Sequence, residues 1–117
     1  WAFFGCCDAD VDQRSQSGSA EHLARTKLHE LGHCTGHSAR LNRDFSGGRG
    51  GDAYAREELV AELCSAFLCA ELGIAPTVRH ADYLGAWLGI LKGDNRAIFQ
   101  AASLASKAAN FVMGRPP

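Results

Sequence analysis

Three residues, His29, Glu30 and His33, constrain this chain more than anything else in it. On an α-helix, side chains four residues apart stand on one face, about one turn from each other. That spacing lets a ring nitrogen of each imidazole reach a single metal ion at roughly 2.0–2.1 Å. Glu30 lies about 100° around the helix from His29. It therefore overhangs an open coordination position without filling it, placed to take a proton from metal-bound water. The stretch predicts a helix that presents a divalent-metal site to a cleft.

The bulk of the chain fits a small enzyme-sized unit. Its 117 residues make one domain, and 46% apolar with 21% charged residues allow a packed core. A net charge of −1 is too balanced for a basic nucleic-acid surface and for an acidic decoy of DNA. Cys6, Cys7, Cys34, Cys64 and Cys69 are odd in number and form no Cys-x-x-Cys, which predicts reduced thiols in a cytoplasmic protein. No apolar run approaches the ~18 residues of a membrane span, and no signal peptide is visible. The chain begins at Trp1 rather than methionine, as a fragment or excised domain would.

Residues 1–18 read as a short strand and polar loop, where alternating Asp8, Asp10 and Asp12 resemble the start of a calcium loop but the loop glycine and closing glutamate are missing. The remainder, 19–117, reads as the domain proper. Ser19 caps a first helix running to Gly36. On its wheel Ala20, Leu23, Ala24, Leu28, Leu31 and Cys34 form the core side, with His22, Thr26, His29 and His33 opposite. Ser38–Asp52 is a glycine-rich loop without a phosphate-binding signature. A second helix spans Ala53–Leu72 and stops at Gly73. Leu59, Val60, Leu63, Cys64 and Phe67 form its apolar face, and Glu58, Glu62, Ser65 and Cys69 share the other. A third helix spans Val78–Lys92. Asp94 caps a fourth, Asn95–Met113, whose inner face is rich in alanine.

A catalytic zinc site takes three protein ligands and keeps one position open. A third histidine three residues beyond Gly36 would extend the motif, but the position is Ala39. The third ligand must then come from the second helix, where Glu57, Glu58 and Glu62 are the candidates. Glu58 and Glu62 share a face, so Glu58 is read as the ligand and Glu62 as the acceptor of a hydrogen bond from a ligating histidine. Glu57 points elsewhere on the wheel and is expected to be exposed.

With both helices in hand, the chain resembles a known family. His29–His37, Arg40-Leu41-Asn42-Arg43, Tyr54–Leu63, Ala66–Ile74, His80–Leu84 with Trp87-Leu88, and Asp94–Phe99 are similar to the metallopeptidase domain of ArdC-type antirestriction proteins. These are zincin-like domains of plasmids and mobile elements, also called polyvalent-protein metallopeptidase domains. The resemblance covers about Ser19–Met113. It implies a mostly helical α+β fold of about four helices with a small, incomplete N-terminal sheet. It implies Zn2+ held by His29, His33 and Glu58, Glu30 as general base, and a role in protecting incoming plasmid DNA. In such proteins an N-terminal domain that binds single-stranded DNA precedes this one, and any DNA binding belongs to that domain. Arg25 and Lys27 stand where the family has apolar residues.

The chemistry expected is hydrolysis of a peptide or protein substrate. His80 or Tyr83 would stabilise the oxyanion if the third helix borders the cleft. The rival is a metal-stabilised binding module without hydrolysis, aiding antirestriction through a DNA-binding partner domain. Glu30 argues for hydrolysis, since a purely structural site has no use for it.

Overall fold

The computed structural model describes residues 20–44, 51–75 and 81–117, with the side chains of 81–86 left aside. Among these residues four helices follow one another: α1 (Ala20–Cys34), α2 (Asp52–Leu72), α3 (Ala81–Gly93) and α4 (Ala97–Val112). None of the described residues is in a strand. The N-terminal segment 1–18, to which the sheet is assigned, lies outside them. So do residues 45–50 of the glycine-rich loop and the expected start of α3.

α2 is the central element, packed by α1 on one side and by α4 on another, with α3 against α2 and α4. Its start is favoured by Asp52, an acid in the first turn where the helix dipole is positive. Its end is set by Gly73, in the left-handed conformation at φ 69°, whose N–H reaches the carbonyl of Cys69. Glycine adopts that geometry without a Cβ clash.

The main core joins Leu59, Val60, Cys64 and Leu68 of α2 to Leu28 of α1 and to Ala101, Ala105, Ala108 and Ala109 of α4. Alanine loses no side-chain rotamer freedom on burial, and its single methyl lets a neighbouring helix come close. A smaller cluster of Ala55, Ile90 and Ala97 closes the α2, α3 and α4 junction. α4 begins two residues later than the sequence suggests. Asp94 Oδ1 accepts the N–H of Arg96 at 2.9 Å, a local turn that precedes the helix.

α1 is rotated from its expected setting. Arg25, Leu28, His29, Gly32 and His33 are buried, whereas Leu31 is 37% exposed. The contact is made over Gly32, where an added Cβ would meet the Cα of Ala61 at 3.2 Å. This close approach presses the polar side of α1 onto α2, where carboxylates partner it. A helical wheel assigns such a side to solvent. Cys64 and Cys69 are free and buried, whereas Cys6 and Cys7 lie outside the described residues.

Candidate metal centre

The two histidines on α1 converge with one carboxylate on α2. His29 Nε2 and His33 Nε2 lie 3.1 Å apart. Glu58 Oε2 is 3.2 Å from His29 Nε2, and Glu58 Oε1 is 3.1 Å from His33 Nε2. The imidazoles meet edge to face, with centroids 4.7 Å apart. All three residues are buried, and each offers a ligand atom within 4.8 Å of the others.

The other ring nitrogens face carboxylates too. His29 Nδ1 lies 2.6 Å from Glu62 Oε1, and His33 Nδ1 lies 2.9 Å from Glu57 Oε2. A carboxylate accepts only, so each Nδ1 carries a proton and each Nε2 presents a lone pair. The two Nε2 atoms and Glu58 then point acceptor at acceptor in a buried space. A metal ion or a proton among them relieves that repulsion. Two imidazoles and a carboxylate suit a borderline divalent ion such as zinc, so the residues fit the metal.

Without a metal, protons take that place. Burial opposes charging of His29, but hydrogen bonds and charge from Glu58 and Glu62 outweigh it and lift its pKa to about 9. Burial also works against His33, and its pKa is still raised by Glu57 and Glu58. Burial pushes the Glu58 carboxyl up, yet the two imidazoles hold it well below the usual carboxylate range. A metal must therefore displace protons to enter.

Arginines close the outer ring. Glu62 pairs with the guanidinium of Arg25, and both are buried. Glu57 accepts two bonds from Arg43, Nε to Oε1 at 2.8 Å and Nη2 to Oε2 at 2.9 Å. Glu57 is thus 3% exposed, not solvated. The wheel missed it because its partners come from another helix and from the loop after α1. One signal was present: two ligating imidazoles need an acceptor each, and the second helix carries a spare acid for that purpose.

The loop after α1 folds back onto that helix. Leu41 N–H donates to Thr35 O at 2.9 Å and Arg43 N–H to Gly36 O at 3.0 Å. Asn42 turns the chain at φ 53°, a conformation asparagine tolerates. Glu30 is half-buried on α1 between the histidines. His80 lies outside the described residues. Tyr83 lies in α3, and its side chain is outside them as well.

Fold and site together define a metallopeptidase-like domain of the zincin type. The family model described as zincin-like metallopeptidase matches residues 9–104, and the chain belongs to that family. It is 46% identical over 104 residues to DNA primase TraC of Escherichia coli, a match covering 88% of this chain and 10% of that protein. It is 48% identical over 87 residues to the uncharacterized protein y4eC of Sinorhizobium fredii, covering 73% of this chain and 28% of the other. The Mn(II)-bound crystal structure of the antirestriction protein ArdC from plasmid R388 superposes with a TM-score of 0.73 at 44% identity, over 82% of this chain and 36% of ArdC. The metal-free ArdC structure gives a TM-score of 0.70 at 45% identity. The chain thus spans only a minor part of each of these relatives. No helix among the described residues is long and apolar enough to cross a membrane.

Proposed function

We propose that this chain is a zinc-dependent peptidase domain of a plasmid or mobile-element antirestriction protein that works in the cytoplasm. His29, His33 and Glu58 hold the metal and Glu30 is the general base. The observation that carries this reading is the buried convergence of two Nε2 atoms and one carboxylate whose outer nitrogens are already engaged. The Mn(II)-bound form of ArdC supports a divalent ion in the related chain.

Zinc in this position supplies Lewis acidity, polarising a carbonyl and lowering the pKa of water towards ~7. Glu30 takes the proton of the attacking water and returns it to the departing amine. Glu57 and Glu62 keep the Nδ1 protons in place, so both imidazoles stay aimed inward. His80 or Tyr83 donates to the developing oxyanion. The substrate is a peptide or protein, and contact with single-stranded DNA belongs to a separate domain of longer relatives.

Glu30→Gln and Glu58→Ala test the reading together, with zinc measured by elemental analysis and cleavage on an unstructured protein such as casein. Glu30→Gln keeps one zinc per chain and loses hydrolysis by about 10²–10⁴-fold. Glu58→Ala loses the zinc. Undiminished hydrolysis in the first variant excludes Glu30 as the base, and full zinc in the second excludes the ligand set.

A further inference from the structure

We infer that Arg43 is a positioning residue for the metal centre: acting through Glu57 on His33, it ties metal affinity to the fold of the loop that follows the motif helix. This rests on the reading that His29, His33 and Glu58 hold a metal. The Arg43 side chain is only 5% exposed. Besides its two bonds to Glu57, it donates Nη2 to the carbonyl of Gly32 at 2.6 Å and Nη1 to Thr35 Oγ1 at 2.8 Å.

Gly32 O belongs to the last turn of α1, where carbonyls have no partner within the helix. One guanidinium thus fastens the end of the helix bearing His33 to the α2 carboxylate that holds the His33 ring. Its planar fork grips both oxygens of Glu57 while its remaining donors reach the helix end. Lysine keeps the charge but has no such fork. Arg25 does a different job. It sits on α1 itself, one turn before His29, and pairs with Glu62 without drawing on the loop. Arg43 is the member of the outer ring that the 35–43 loop must fold to deliver.

An acceptor on the outer nitrogen of a ligating histidine fixes its tautomer and ring plane and raises its basicity, and losing such support typically costs 10–100-fold in metal affinity. Co(II) is the probe. The metal-free protein is titrated while its visible absorption is recorded, with chelator competition for affinity and circular dichroism for helix content. The set is the parent, Arg43→Lys, Glu57→Gln and Arg40→Lys. Arg40 leaves the same loop and caps the carbonyl of Cys34 at 2.9 Å, so it controls for loop stability alone.

Arg43→Lys and Glu57→Gln should bind Co(II) about 10–100-fold more weakly, with a shifted absorption band, and Arg40→Lys should match the parent. Parental affinity and spectrum in Arg43→Lys overturns the inference, as does an equal loss in Arg40→Lys. If Arg43→Lys fails to fold, the near-isosteric Glu57→Gln decides by the same criteria. A parent that binds no Co(II) overturns the ligand reading itself, an outcome separate from parental binding in the variants.

Discussion

The two sides of α2 are held by opposite chemistry. In the core shared with α4, methyl groups meet: Ala101, Ala105, Ala108 and Ala109 pack with Leu59, Val60 and Leu68. Towards α1 the same helix presents Glu57, Glu58, Glu62 and Ser65, all buried and met by Arg25, His29, His33 and Arg43. Even Ser65 Oγ is used, donating to the Arg25 carbonyl at 3.0 Å. Apolar burial contributes about 25 cal/mol per Å². Buried ion pairs at best offset the cost of drying their charges. One side of α2 therefore stabilises the fold, and the other uses part of that stability to hold a buried array of charge.

Arg25→Leu breaks this comparison most severely. It leaves Glu62 buried without its guanidinium, and a broken buried pair costs about 3–5 kcal/mol. Urea unfolding measures it. A loss under about 1 kcal/mol would mean that the pair behaves like one in solvent.

The next effect is pH, and it sharpens the difference because the apolar side does not titrate in the range. Folding raises His29 from 6.5 to about 9 in the metal-free protein. Its contribution is therefore complete below pH 6.5 and is lost as pH rises through 9. A shift of this size is worth on the order of 3 kcal/mol. His33 moves the same way. Glu58, held low, contributes above the ordinary carboxylate range and loses this as the solution is acidified. Melting with a chelator present should be highest near pH 5–6.5 and fall towards pH 9. With zinc, which needs neutral imidazoles, affinity should instead rise over the same interval. A flat chelated profile would mean that the histidines are not coupled to the acids.

Ala105→Leu is the mildest of the three. Ala105 is fully buried, and the added carbons overpack its interface by about 1–3 kcal/mol. Thermal unfolding should show that loss while zinc affinity stays at the parental value. If affinity falls in step with stability, the two sides of α2 are not separable.

Parts of this arrangement were readable along the chain. The extent of α2, its stop at Gly73 and the alanine face of α4 follow from local rules of capping and periodicity. The spacing of His29 and His33 and the acids Glu58 and Glu62 mark out one face on each of two helices. The wheel failed where a polar face was buried. It turned α1 to set Leu31 inward, and it sent Glu57 to solvent, because it counts apolar residues and cannot see a partner from another element.

What the sequence determined by itself is the inventory and its local geometry: two imidazoles one turn apart, a glutamate between them, and a neighbouring helix rich in acids. Those depend on the 3.6-residue repeat alone. Tertiary structure decided which acid faces which nitrogen, and that Arg25 and Arg43 stand behind the acids. Gly32 lets α1 approach Ala61 closely enough to bury that polar face, and the loop to Arg43 closes around it. A buried charge is tolerated only where its counter-charge arrives, and that depends on how distant segments meet.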